Sequence, residues 1–293
     1  MPIRFLCSFF VLFFVSGCVS VYSQSGNSEI FLFDLRSTAS GVSFEGGKNI
    51  SKSPGYDNQP SFGNKGDSVL YTSIRNERSP DIFEYMISTG KTKQITKTDE
   101  SEYTPRSKNL KIISFIREGK GQGMTVWNYN RETKRESKAF PNKEPVAYYD
   151  WNSKGGALVW VRYAWRALYL EPAKKISIFV TEHVQPSSPQ NIPGTDKFSF
   201  IQRQGNDELW VKEFDPSNRA VRPIVRPKDG SIDYCWLPDG TLVTGSGSKL
   251  FGFNEGRDKD WVEIADLSKF GLKDITRLAA SPDGKRMAVV SNQ

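Results

Sequence analysis

Gln59-Pro60-Ser61-Phe62-Gly63-Asn64-Lys65-Gly66-Asp67-Ser68-Val69-Leu70-Tyr71-Thr72-Ser73, continued by Asp81-Ile82-Phe83-Glu84-Tyr85-Met86 and Ser88-Thr89-Gly90-Lys91, reads as one complete unit. Residues 59–62 form a short strand that ends in the turn 63–67, and residues 68–73 a mostly apolar strand. A polar loop, 75–80, leads to the alternating strand 81–86. After the turn 88–91 comes a last, polar strand, 92–98. Four short strands joined by turns predict an antiparallel meander. Its second strand is apolar on both faces, so it has to be covered on both sides. One meander cannot supply that cover; stacked copies can.

The copies follow in sequence. The aromatic of the third strand recurs as Phe83, Trp127, Tyr169, Trp210 and Phe251, at intervals of 44, 42, 41 and 41 by subtraction. Propeller blades repeat every 40–45 residues or so. One more step reaches the end of the chain, where residues 275–281 and 286–291 supply only two strands. The missing pair stands at the other terminus, in residues 29–35 and 41–44. Pairing N-terminal with C-terminal strands closes a ring and removes exposed sheet edges. The expected fold is all-β: five whole blades and one shared blade, a six-bladed β-propeller.

Three stretches carry a family resemblance: Asn58-Gln59-Pro60-Ser61-Phe62, Ser79-Pro80-Asp81-Ile82-Phe83, and Ala280-Ser281-Pro282-Asp283-Gly284-Lys285-Arg286-Met287-Ala288-Val289. They resemble the repeat of TolB-like (PD40, WD40-like) propellers. Trp236-Leu237-Pro238-Asp239-Gly240 is a near match, while Trp151-Asn152-Ser153-Lys154-Gly155 and Arg106-Ser107-Lys108-Asn109 are degraded copies. The motif has a structural role. Proline fixes φ, Asp bonds local backbone, and Gly takes the positive φ that ends a tight turn. The resemblance implies a propeller that binds envelope partners. The chain lacks the separate N-terminal domain of TolB itself, so that protein's role in its own complex is not carried over.

Residues 1–23 read as a targeting leader, with Arg4 before the apolar run 5–15, and residues 24–293 as the propeller. Two processing routes are open. Val15-Ser16-Gly17-Cys18 resembles a lipobox, in which Cys18 would be lipidated; Val21-Tyr22-Ser23 would instead suit a peptidase cutting before Gln24. Either exit predicts an exported, periplasmic protein, held at the outer membrane only if Cys18 carries lipid. Three cysteines, two of them in the leader, allow no disulfide framework, and Cys235 in Asp233-Tyr234-Cys235-Trp236 reads as a buried small residue. The 40 Lys+Arg against 33 Asp+Glu give +7. The basic residues are scattered over turns and outer strands without interleaved aromatics, so nucleic acid is not the expected partner.

Catalytic groups are scarce. The single histidine, His183, follows the strand 176–182 and reads as a loop residue. Gly245-Ser246-Gly247-Ser248 has no following helix and reads as a hairpin turn. Asp57, Asn58, Glu102, Asp150, Asn191, Asp233 and Asp274 stand where inner strands begin, as a divalent cation at the axis of a hydrolase or lactonase would require. Polar residues also line any wet channel, which is the plainer reading. Among the aromatics near inner-strand starts (Tyr56, Tyr103, Tyr148, Tyr149, Trp151, Tyr234), Tyr103, Trp151 and Tyr234 are candidate anchors. Trp165 joins them from the loop Arg162-Tyr163-Ala164-Trp165-Arg166, with Arg106, Arg162 and Arg166 beside them. Core packing between blades is nevertheless the expectation for Trp151, as for Trp160, Trp210 and Trp236. The expectation overall is a monomeric, non-catalytic binding or scaffold protein without a cofactor, gripping a protein or peptide. An axial metal-dependent hydrolase and a glycan-binding propeller are the alternatives.

Overall fold

Six four-stranded antiparallel sheets form the blades of a propeller in a computed structural model of the chain. It describes residues 27–293 except 39–40, 76–77, 120, 122, 142–143 and 188. The leader 1–23, Cys18 included, lies outside the described residues. From the axis outward, blade 1 is Asp57–Phe62, Ser68–Ser73, Asp81–Met86 and Lys91–Gln94. Blade 2 is Ser101–Ser107, Ile112–Gly119, Gly123–Asn130 and Glu136–Lys138. Blade 3 is Val146–Trp151, Ala157–Val161, Arg166–Glu171 and Ile176–Thr181. Blade 4 is Gln190–Asn191, Phe198–Gln204, Glu208–Asp215 and Ala220–Val225. Blade 5 is Cys235–Trp236, Leu242–Ser246, Lys249–Phe253 and Val262–Asp266.

Blade 6 is built from both ends of the chain, in the order Asp274–Ala280, Arg286–Asn292, Ser28–Thr38, Gly41–Asn49. The N-terminal strand runs antiparallel to Arg286–Asn292, in register from Ser28 opposite Asn292 to Asp34 opposite Arg286. The seam is also tied to blade 1. Ser28 bridges Tyr56, and its N–H donates to the Gly55 carbonyl at 3.0 Å.

Burial follows the predicted pattern. Every residue of Ser68–Ser73 is buried, as a strand apolar on both faces demands once it lies between neighbouring blades. The motif turn does what its residues dictate. The Asp283 carboxylate accepts from the Ser281 hydroxyl (2.6 Å) and the Lys285 N–H (3.1 Å), and Gly284 takes φ +69°. Blade 1 corrects one boundary. Its outer strand stops at Gln94 rather than continuing to residue 98, because Thr96 turns inward. Its hydroxyl donates to Asp81 (3.2 Å) and accepts the Ile82 N–H (2.8 Å). Residues 266–273 contain the short 3-10 helix Ser268–Phe270, ended by Gly271 at φ +83°.

Neighbouring blades are clasped by a repeated Tyr-x-Trp pair. Tyr149 Oη and Trp151 Nε1 both donate to Ser114 Oγ at 2.8 Å, from blade 3 to blade 2. Tyr234 Oη (2.9 Å) and Trp236 Nε1 (2.8 Å) do the same to Ser199 Oγ, from blade 5 to blade 4. Ser114→Ala removes an acceptor from two buried donors at once. An orphaned buried donor costs about 1–3 kcal/mol, so S114A is expected to lower unfolding free energy by about 2 kcal/mol or more in urea titration. A loss near zero would mean that the clasp carries no load.

Candidate functional site

The inner strands bring polar residues of several blades to the axis, where they line a cavity of about 410 Å³ at the ends of the inner strands and the turns that follow. Two ion pairs dominate it. Arg106 Nε of blade 2 stands 3.4 Å from Asp150 Oδ1 of blade 3, and Arg277 of blade 6 stands 3.5 Å from Asp233 Oδ1, just before blade 5. Asp150 also accepts the Asn191 N–H of blade 4 at 2.8 Å and the Trp151 N–H at 3.0 Å. Burial pushes both carboxyls up, opposed at Asp150 chiefly by Arg106 and at Asp233 chiefly by Arg277. Arg277 further lies over the Tyr148 ring, 5.6 Å from its centre. Burial raises the Tyr56 hydroxyl well above its ordinary value, with Arg277 opposing and Tyr148 and Tyr103 close enough to add to the rise. A tyrosine layer from blades 1, 2 and 3 therefore sits beside the ion pairs.

The inner strands of blades 1 and 2 are strained at two equivalent places, the first of which, Gln59, lines the cavity. Gln59, before Pro60, has φ +55°, and Thr104, before Pro105, has φ +50°. Each lies in a break of the inner-strand register, between Asn58 and Ser61 in blade 1 and between Tyr103 and Arg106 in blade 2. A β-branched residue at positive φ is an outlier, and such outliers gather at ligand clamps and switch regions. Gln59 Oε1 holds both bulges, accepting from the Thr104 N–H (2.8 Å) and the Thr72 hydroxyl (3.0 Å). The sequence signal that could have found them is the pair Gln59-Pro60 and Thr104-Pro105 at the same point of successive repeats.

The sequence-predicted residues fall in three places. Arg106 and Trp151 line the axial cavity. Trp151 is enclosed, however, with its indole N–H on Ser114, Lys108 Nζ 3.6 Å from its ring centre and Phe140 edge-on at 5.9 Å. Tyr234 is likewise a buried clasp and not an exposed aromatic; its hydroxyl is held by Ser199. Tyr103, on the inner strand of blade 2, lies near Tyr56. Arg162, Trp165 and Arg166 lie away from that cavity, around the turn between the second and third strands of blade 3, at the end where inner strands begin. There Arg162 pairs with Glu118 at 3.2 Å and Arg166 with Glu144. Trp165 is exposed on one side and packs edge-on against Trp160 on the other, at 6.0 Å. Trp160 is in the core as expected, whereas Trp210 and Trp236 are only half-buried. Trp210 instead carries Arg226 over its ring at 5.1 Å.

Of the seven metal-ligand candidates, Asp150, Asn191 and Asp233 line the axial cavity. Among the described residues, no three His, Cys, Asp or Glu side chains are placed to share an ion. Asp150 and Asp233 face guanidinium groups, and Asp274 receives Asn292 Nδ2 at 2.7 Å. Glu102 binds Arg117 Nε at 2.8 Å, in the boundary between blades 1 and 2. Burial nevertheless pushes its carboxyl up to about 7, with Arg117 and Thr98 opposing. Asp57 is buried without a hydrogen-bond partner for either oxygen. His183 is exposed just past an outer strand, and the segment 245–248 is the expected hairpin. Burial pushes the Cys235 thiol up to about 12, as befits an inert core cysteine. No helix among the described residues is long and apolar enough to cross a membrane.

No family model matches the sequence, and no curated protein matches it. Solved structures do. TolB from Acinetobacter baumannii is 14% identical, with a TM-score of 0.59 over 92% of this chain and 65% of that one; the chain thus spans 65% of that protein's length. A putative TolB from Agrobacterium tumefaciens is 10% identical, with a TM-score of 0.65 over 92% of this chain and 99% of that one. A gluconolactonase from Xanthomonas campestris is 9% identical, with a TM-score of 0.60 over 85% and 91%. Identities this low convey architecture and not activity, since one fold hosts many functions. In architecture, then, the chain is a six-bladed β-propeller similar to those of the TolB structures.

Proposed function

We propose that this protein is a non-catalytic binding protein of the cell envelope whose axial cavity grips a peptide segment of a protein partner. The observation that carries the reading is the pair of Arg–Asp contacts contributed by four different blades. At 3.4 and 3.5 Å they are looser than a tight charge-assisted bond, and an incoming chain can exchange with them. A peptide offers both donors and acceptors, which suits a ring of both charges. A cavity of about 410 Å³ falls in the usual range for a bound small segment. The strained bulge at Gln59, which lines the cavity, supports a clamp at this place. The guanidinium partners of Asp150 and Asp233 weigh against an axial hydrolytic cation. Trp151 and Trp236 have their indole N–H groups engaged by serines, which weighs against a sugar platform. The apolar leader supports export, and the family resemblance supports an envelope partner.

The test is crosslinked capture from an envelope extract with the wild-type protein and with Arg106→Gln and Arg277→Gln, alongside elemental analysis and thermal shift with calcium and with EDTA. The expected result is one partner, at least tenfold depleted with either variant while the melting temperature is largely kept; tenfold corresponds to about 1.4 kcal/mol. Undiminished capture by both variants, or a stoichiometric divalent ion, would overturn the reading.

A further inference from the structure

The outer strand of blade 3, Ile176-Ser177-Ile178-Phe179-Val180-Thr181, differs from the other five outer strands. Those carry the devices that blunt a free sheet edge. Lys91 and Lys93 stand in blade 1, Glu136 and Lys138 in blade 2, Arg222 and Pro223 in blade 4, Glu263 and Asp266 in blade 5, and Glu45 and Lys48 in blade 6. Blade 3 has no charge, proline or glycine on its edge. Its apolar side chains are also uncovered: Phe179 is 56% exposed and Ile176 41%. Trp165, 46% exposed, adjoins the strand's far end, where its carbonyl accepts the Val184 N–H at 2.8 Å. From Ile176 to Phe179 the strand pairs residue for residue with its inner neighbour, so its outward edge is regular. The only break comes at Val180, next to its end.

We infer that this edge is a self-association surface, occupied by the same strand of a second copy in antiparallel pairing about a two-fold axis. Charge complementarity selects a second copy. The strand is preceded by Lys174 and Lys175 and followed by Glu182. Antiparallel pairing with itself sets the basic end of each copy against the acidic end of the other, and apolar residues against apolar residues. A two-fold axis repeats the match twice, since both partners present the same patch. Lys175 and Glu182 are exposed, and neither enters an ion pair among the described residues. Lys174 holds Glu171 of its own chain at 2.6 Å and stands at the same basic end. Main-chain bonds of the edge give affinity in such pairing, and the flanking charges fix direction. A second copy here replaces the monomer that the sequence suggests.

Sedimentation velocity of the purified full-length protein over a wide concentration range tests this. The expected result is a monomer–dimer equilibrium that Phe179→Lys abolishes. Glu182→Lys, an exposed change that faces Lys174 and Lys175 of the other copy, is expected to weaken the dimer at least tenfold. Adding Lys174→Glu and Lys175→Glu to it is expected to restore the wild-type constant to within about twofold, a rescue that a foreign partner or the apolar leader would not produce. Circular dichroism melting confirms that each variant is folded. A monomer at every concentration, a dimer indifferent to Glu182→Lys, or a triple variant that stays weak would each overturn the inference. Arg106 and Arg277 take no part in this test, so its failure and that of the axial-cavity reading are read separately.

Discussion

Phe33→Ala is expected to destabilise the protein by about 3–5 kcal/mol, the cost of emptying a fully buried phenylalanine site that cannot collapse. Phe33 is 0% exposed on the N-terminal strand that closes the ring. Its ring meets Phe44 of the outer strand edge-on at 6.1 Å and Phe270, from the turn that follows blade 5, at 5.0 Å. The backbone alongside is fitted to these rings. A Cβ on Gly47, at φ +60°, would stand 2.6 Å from Phe270 Cδ1 and 3.0 Å from Phe33 Cε1. One side chain thus joins the N-terminal strand to the preceding blade. A domain of ordinary stability has about 5–15 kcal/mol in total, so the variant should lie near its unfolding threshold. Urea titration measures the loss, and Leu110→Ala, at an exposed residue of a turn in blade 2, serves as the control, expected to fall within about 0.5 kcal/mol of wild type. A Phe33→Ala loss below that of the control would mean that the seam does not carry the fold.

Asp57→Asn is expected to stabilise the protein above neutral pH and to do little in acid. Asp57 begins the inner strand of blade 1, is 0% exposed, and neither carboxylate oxygen has a hydrogen-bond partner. Burial pushes its carboxyl from 3.8 to about 6; Ser73 and Arg75 oppose the rise and Glu29 adds to it. The folded chain therefore holds this proton more tightly than the unfolded chain does. The favourable contribution is complete below 3.8 and is lost as pH rises to about 6, above which the buried charge is a constant penalty. The gap between 3.8 and about 6 corresponds to about 3 kcal/mol. Asparagine keeps the shape and removes the charge. Urea titrations at pH 4 and pH 8 should show a gain of up to about 3 kcal/mol for the variant at the higher pH only. An equal effect at both values would refute a titrating Asp57 as the cause.

Much of this molecule follows from short-range rules. The spacing of Phe83, Trp127, Tyr169, Trp210 and Phe251 places each in the third strand of its blade, because a repeat that buries its second strand on both faces must stack at a fixed period. The Ser281–Gly284 turn was equally legible, since proline, aspartate and glycine act on their own neighbours. The half-blade at each terminus could be paired because an unpaired edge is costly.

The site was much less legible. Polar residues near inner-strand starts were visible, but whether Asp150 meets a cation or Arg106 depends on which blade faces which across the axis. The same holds for Trp151 and Tyr234, both candidate anchors in the sequence, which Ser114 and Ser199 bind from neighbouring blades 37 and 35 residues away.

The amino-acid order by itself determined the blade count, the shared closing blade and the turn chemistry, all of which rest on local periodicity and the backbone preferences of single residues. Tertiary structure alone decided that the carboxylates at the axis are neutralised by arginines, that two tryptophans are clasps, and that the outer edge of blade 3 is left uncharged beside an exposed aromatic. The reason is physical. Periodicity fixes which side of a strand a residue faces, but charge pairing and hydrogen-bond satisfaction depend on separation in space, which only the closed ring defines.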